Sequence, residues 1–208
     1  MDSFDTQITW LGHASFRISG PLVVYIDPWQ LSEEPPADLI LVTHDHRDHF
    51  SQEDIDLIST PDTIVVCPTA CAQNLRGQVR EVQVGDMVEI GEVTIQVVPA
   101  YNTDKPNHPK SAGHVGYVIE MGGERIYHAG DTDLIPEMSD ITCDIALLPV
   151  GGTYTMNAEQ AAQAAERIGP QVVIPMHWGR IVGDEDDVRT LRQMMPQGIE
   201  VIALEPPQ

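Results

Sequence analysis

The sequence predicts a layered α/β sandwich, with sheets packed face to face and helices on the outside. Three observations carry this. Short β-rich runs bounded by Gly, Pro or Asp recur along the whole chain. One of them, VTIQVV, alternates polar and apolar residues as a half-exposed strand does, whereas IALLPV and VVIPM are continuously apolar, as strands buried on both faces are. Helical stretches are few and separated by several strands rather than one for one, which argues against a doubly wound parallel sheet.

In chain order the strand runs are ITWL, LVVYI, LILVT, TIVV, MVEI, VTIQVVP, VGYVIEM, RIYHA, IALLPV, VVIPM and IEVIAL. The first helix is predicted in SQEDIDLIS, where Ser51 and Asp54 stand at capping-box spacing. TACAQNLRG is a second helical stretch. The third, NAEQAAQAAERIGP, has Asn157 as N-cap with Gln160 three residues on. Its stripe of Ala161, Ala164, Ala165 and Ile168 ends at Gly169-Pro170. The fourth, EDDVRTLRQMM, puts acids in its first turn and stops at Pro196. Residues 103–113, TDKPNHPKSAG, form a polar, proline-punctuated loop where two halves of the chain would join.

Composition narrows the function classes. With 208 residues, 42% of them apolar, the chain fits one globular domain spanning 1–208. A formal charge of −21, from 32 acidic against 11 basic residues, rules out nonspecific binding to nucleic acid. Cys67, Cys71 and Cys143 are odd in number and form no CxxC pair, so they read as core thiols rather than a disulfide framework or thiolate zinc knuckle. The acidic N-terminus does not read as a signal peptide, and no run approaches the roughly 20 apolar residues that span a bilayer. The expected address is the cytoplasm, without membrane attachment. Nothing in the sequence fixes the oligomeric state.

The chemistry concentrates in LILVTHDHRDHF, residues 39–50. In an extended stretch residues two apart point to one side, so His44 and His46 converge on one cation. Asp48 and His49 fall on the turn into the next helix and offer a second set of ligands nearby. Imidazole and carboxylate suit zinc and similar ions, whose open coordination position holds the water that becomes a nucleophile. Other apolar runs deliver polar groups at their carboxyl ends too, which is where open sheets place their ligand crevices. RIYHAGDTD leads to Asp131, VVIPMHWG to His177, and VTIQVVPAYN to Tyr101 and Asn102.

The motifs THDHRDH, AGDTD and PMHWG, in this order, resemble those of the metallo-β-lactamase fold superfamily of binuclear hydrolases. With WLGHASFRI, IDPW, YNTDKPNHPK and GGTYTMNAEQAA, the chain is similar to the branch of small, single-domain metal-dependent hydrolases related to ascorbate-phosphate lactonase. The match runs from Ile8 to the C-terminal strand. The resemblance implies a four-layer αββα sandwich. It implies His44 and His46 as ligands of a first metal, Asp48, His49 and His177 as ligands of a second, and Asp131 as the bridge. The family supplies a further histidine after the strand that here ends in VVPAYN, and this chain has Asn102 instead. His108 is the expected replacement, with Asn102 itself and His114 as the alternatives.

The implied reaction is hydrolysis of an ester-like bond by a metal-bridged hydroxide, with a lactone favoured, then a phosphodiester, then an amide. Two divalent ions would serve, zinc first, manganese or iron otherwise. Asp48, Asp131 and His13 are the expected catalytic residues. Asp48 orients the nucleophile, Asp131 holds the metals together, and His13 either touches substrate or a ligand or packs as a satisfied core histidine. Asp27 is expected to hold a ligating imidazole by its other nitrogen. His128 reads as a packed or supporting residue. Tyr154, Thr155 and Trp178 either line the pocket or serve only the fold. Lys105, Lys110, Arg47 and Arg180 stand near the site loops, where they could hold an anionic small-molecule substrate. The competing class is a noncatalytic metal-binding protein that retains the hydrolase fold.

Overall fold

The computed structural model describes residues 6–205. Residues 1–5, part of the segment read as lacking a signal peptide, lie outside the described residues. The first half of the chain builds one sheet, whose spatial order follows the sequence. It comprises β1 (Gln7–Gly12), β2 (Ser15–Ser19), β3 (Val23–Ile26), β4 (Leu39–Leu41), β5 (Ile64–Pro68) and β6 (Gln78–Val82). The first three strands are antiparallel neighbours; β3 to β6 run parallel, with α1 (Gln52–Ile58) and α2 (Thr69–Ala72) as crossovers.

The second half builds the other sheet, from β7 (Met87–Ile90), β8 (Val93–Pro99), β9 (Val115–Met121), β10 (Glu124–His128), β11 (Ile145–Pro149), β12 (Val172–Met176) and β13 (Glu200–Val201). Here β7 to β10 are antiparallel, and β10 to β13 are parallel. The crossovers from β11 to β12 and from β12 to β13 carry α3 (Ala158–Ile168) and α4 (Glu185–Met194).

The layers follow from the period of two along each strand. Leu39 and Leu41 of β4, Val24 and Ile26 of β3, and Val66 of β5 join one core with Ile95 and Val97 of β8, Tyr117 and Ile119 of β9, and Leu147 of β11. This is the interior between the sheets. Ile40 and Tyr25, on the opposite face of the first sheet, pack with Ile55 and Ile58 of α1 and Cys71 of α2. Burying each large aliphatic side chain contributes about 1.5–3 kcal/mol, so the alternation alone specifies the register. On the far side, α3 turns its alanines and Ile168 inward against β11. Asn157 and Gln160 close a full capping box, and Gly169 ends the helix at φ 69°.

Several elements depart from the sequence expectation. β2 and β6 are strands that the sequence reading missed. Arg17 and two serines break the apolar signal of SFRIS, and QVREV is an edge strand with three of its five residues exposed. TACAQNLRG yields a helix only over Thr69–Ala72, and IEVIAL pairs only at Glu200–Val201. The loop 103–113 does not join the two halves. It is an excursion between the paired strands β8 and β9, and the sheets are linked instead by the turn at residues 83–86, where Asp86 accepts from the Gln83 N–H at 2.9 Å. Among the described residues no helix is long and apolar enough to cross a membrane.

Candidate metal centre

The site gathers at the carboxyl ends of strands from both sheets. His13 follows β1, Asp27 follows β3, and the stretch from His44 to His49 follows β4. Asn102 and the loop bearing His108 follow β8, Asp131 follows β10 and His177 follows β12. His13, Asp27 and His177 turn into the site with left-handed backbone, at φ of 52°, 47° and 58°. His and Asp tolerate this conformation better than most residues, at a cost of about 1–3 kcal/mol each. The His13 carbonyl offsets part of it by accepting from the Trp10 indole at 2.9 Å and from the His177 N–H at 2.8 Å. Gly130 serves the same end before Asp131: at φ 63°, a Cβ there would stand 2.7 Å from the Val115 carbonyl.

Asp131, 3% exposed, is the centre of the cluster. The Nε2 atoms of His49, His177 and His108 lie 3.2, 3.1 and 3.3 Å from its carboxylate. His46 Nδ1 is 3.1 Å from His108 Nε2, and the His44 ring is 4.6 Å from that of His46. Among the described residues ligand-type atoms fall into three groups, each within 4.8 Å: His44, His46 and His108; His13, Asp48, His49 and His177; and Asp27, His44 and His49, in which Asp27 stands behind the imidazoles. Asp131 touches members of the first two.

The donor chemistry fits divalent cations. His44 Nε2, His49 Nε2, one oxygen of Asp131 and both nitrogens of His177 are buried without a hydrogen-bond partner. Each such orphan costs about 1–3 kcal/mol unless something else satisfies it. Imidazole and carboxylate atoms facing one another are what zinc-like ions take, and the three cysteines lie buried elsewhere, in line with their reading as core thiols.

Asp27 organises the imidazoles from behind. Fully buried, it accepts from the Thr43 N–H at 2.7 Å, the Thr43 hydroxyl at 2.6 Å and His49 Nδ1 at 2.7 Å. The Thr43 hydroxyl, already donating, can only accept from His44 Nδ1, 2.9 Å away. Both imidazoles therefore carry hydrogen on Nδ1 and turn Nε2 inward. The sequence pointed to Asp27 as an imidazole partner; it gave no sign of the relay through Thr43.

Charge in the cluster is set by competition between burial and neighbours. Burial would raise the Asp131 carboxyl, but the facing His177 and His49 outweigh it and hold it well below the usual carboxylate range. Burial would likewise lower His49, yet Asp131 and Asp27 on either side raise it well above the usual imidazole value. A cation would replace the proton held there. Burial lowers His44 and brings His13 and His108 down to about 4. For Asp48, desolvation is outweighed by the bond from His13 Nε2, 3.0 Å away, which brings the carboxyl to about 2.

The other residues singled out from sequence separate clearly. His114 packs with its ring 4.8 Å from that of His44 and its Nε2 3.8 Å from Asp45, outside all three groups. Asn102 turns its side chain to His108 and Tyr154. His128 is fully buried, its Nε2 2.9 Å from the Ala14 carbonyl and its Nδ1 accepting from the Gly130 N–H at 3.2 Å, a supporting role. Trp178 stacks on Trp10, with centroids 5.0 Å apart. Thr155 is buried, its hydroxyl donating to the Met156 carbonyl at 3.3 Å.

Tyr154, together with Asn107 and Ile181, lines a cavity of about 260 Å³ over His46, Asp48, His108 and Asp131. This opens beside a polar cleft of about 850 Å³ that includes Trp29, Arg47 and Phe50. Trp29 and Ile181 were not expected from sequence: Trp29 stands edge-on to His13 at 5.4 Å, and Ile181 is 47% exposed between the two spaces. Of the basic residues, Lys105 is paired with Asp133 and Lys110 with Glu137, while Arg180 bonds Gln30. Arg47 has no acidic partner among the described residues and lines the cleft.

Comparison with known proteins places the chain in a family. Residues 7–177 match the family described as the beta-lactamase superfamily domain. A metal-dependent hydrolase of Archaeoglobus fulgidus is 32% identical, covering 96% of each chain, and one of Methanoregula boonei is 36% identical over 88% of each. Among solved structures, a Parabacteroides distasonis chain provisionally assigned as a metal-dependent hydrolase superposes with a TM-score of 0.87 at 33% identity. It covers 97% of this chain and 94% of its own. The match extends over nearly the whole length, in sequence and in fold: the chain belongs to the β-lactamase superfamily, on the branch of its metal-dependent hydrolases.

Proposed function

We propose that the chain is a cytoplasmic, single-domain binuclear hydrolase acting on an ester-like bond of a small molecule, a lactone first and a phosphodiester second. His44, His46 and His108 would hold one divalent ion, Asp48, His49 and His177 would hold the other, and Asp131, which faces imidazoles of both sets, would serve the two together. Zinc is the favoured ion; manganese and iron suit the same donors. When bound, such a pair supplies an activated water near neutral pH and polarises the electrophilic carbonyl or phosphorus. The observation that carries this reading is the Asp131 carboxylate contacted by imidazoles of both sets, with buried nitrogens left unpartnered around it.

The chain's own groups complete the site. Asp48, whose side chain is 24% exposed, faces the cavity and orients the attacking water, and His13 Nε2–H holds that carboxylate in place. The Tyr154 and Ile181 side chains narrow the mouth to a small head group, and the larger cleft receives the remainder of the substrate. Arg47 is the residue we assign to an anionic substituent. The histidine missing after β8 gives the noncatalytic alternative some weight; His108 Nε2, 3.1 Å from His46, offers an imidazole in its place, and the relatives that are metal-dependent hydrolases favour the enzyme.

The test is a metal count by elemental analysis, with turnover of a panel of lactones, phosphodiesters and thioesters measured before and after chelation. We expect about two ions per chain and activity that chelation abolishes and metal restores. His44→Ala and His177→Ala should bind less metal and lose turnover. Full turnover in metal-free protein would refute the reading.

A further inference from the structure

We propose that Asn102 is a positioning residue that fixes the ring tautomer of His108 and so turns a bare Nε2 toward His46 and Asp131. The inference rests on the reading of His108 as a ligand, and goes beyond it by assigning the group that makes His108 competent. Asn102 follows β8, six residues before His108, and is 7% exposed. Its amide orientation is fixed from both ends. The side-chain NH₂ donates to the Tyr154 carbonyl at 2.8 Å, a partner that can only accept, and Oδ1 accepts from the His108 backbone N–H at 3.0 Å.

That same Oδ1 lies 3.1 Å from His108 Nδ1. An amide oxygen cannot donate, so the ring hydrogen sits on Nδ1 and the lone pair on Nε2. This Nε2 stands 3.1 Å from His46 Nδ1 and 3.3 Å from Asp131. Only an unprotonated nitrogen can bind a cation, and the bond made by the other ring nitrogen decides which one that is.

The loop is closed around this arrangement. The Asn102 N–H donates to the His108 carbonyl at 2.7 Å, which ties the two ends of the turn together. Asp133, two residues after Asp131, accepts from the Thr103 N–H at 2.8 Å and from Lys105. The position that breaks the expected run of histidines is therefore occupied by the group that orients its substitute. It also ties the His108 loop to Tyr154 on the opposite wall of the mouth.

The experiment is nitrogen-15 NMR of the His108 ring in metal-free protein near neutral pH, paired with metal titrations, for the wild type, Asn102→Leu, Asn102→Asp and His108→Ala. The wild-type ring is expected to carry hydrogen on Nδ1. In Asn102→Leu the tautomers should mix, and one of the two ions should bind about 10–100-fold more weakly while the other is retained. Asn102→Asp keeps an acceptor for His108 and should restore the Nδ1–H ring. An Nε2–H ring in the wild type overturns the proposal. So does an Asn102→Leu chain that keeps the wild-type ring and binds both ions normally. If Asn102→Leu does not fold, the wild-type and Asn102→Asp rings decide, and an Nε2–H ring in either is fatal. His108→Ala separates the two claims: two ions bound as tightly as in wild type would remove His108 from the ligands, while the tautomer result would stand on its own spectrum.

Discussion

Asp27 carries three short hydrogen bonds and no exposure, and through Thr43 it governs His44 as well as His49. Asp27→Asn would set an NH₂ group against a donor that has no second acceptor. We expect metal affinity to fall about 10–100-fold in chelator-competition titrations, with the fold retained. A second residue-scale prediction concerns the thiols. Burial pushes Cys67 and Cys143 up to about 12 from an ordinary value of 9.0, with the Glu81 and Asp144 carboxylates adding to it respectively, and burial raises Cys71 further. The native state thus keeps protons that the unfolded chain gives up above that ordinary value. This contribution to stability is fully present below pH 9.0 and is lost as pH rises toward 12. Ellman's reagent at pH 8 should find no reactive thiol in the native protein and all three after unfolding, and the urea midpoint should fall between pH 8 and pH 10.5. At this scale the sequence showed which residue types converge, because HxHxDH and the strand-end Asp131 and His177 are local patterns. Thr43, Trp29 and Ile181 were illegible, since their roles depend on contacts with residues distant in the chain.

Elements were legible where local chemistry and burial agree. The α3 helix has its cap, its alanine stripe and its stop all written in sequence, and each is found as expected. Asn157→Ala should remove the bond that its side chain accepts from the Gln160 N–H, leaving the backbone N–H of residue 157 free to donate to Gln160, and cost about 1 kcal/mol, read as a lowered urea midpoint with an unchanged slope. β2 and β6 were missed for the opposite reason. Their pairing comes from neighbours on the sheet, while their own residues mix Arg, Ser, Gln and Glu with few apolar ones. The loop 103–113 shows a third case. Its prolines mark a break in regular structure, but whether such a break separates domains or leaves and re-enters one sheet is decided by β8–β9 pairing, which no local signal encodes.

At the scale of the whole molecule, the charge of −21 is spread over a surface that repels itself, and the buried centre offsets only a small part of it. Screening should therefore stabilise the metal-loaded chain: its melting temperature is expected to rise by a few degrees as sodium chloride is raised from low ionic strength, in a calorimetric series. The architecture also has a consequence for how the chain comes apart. The site's side chains hang from the ends of β1, β3 and β4 on one layer and of β8, β10 and β12 on the other. An ion seated among them would rivet the layers at one rim, so metal starvation would reach the scaffold as well as the proposed reaction. Stripped protein should fray from that rim inward, with proteases nicking the segments 103–113 and 178–184 before the opposite end yields, and returning the ion should reseal it.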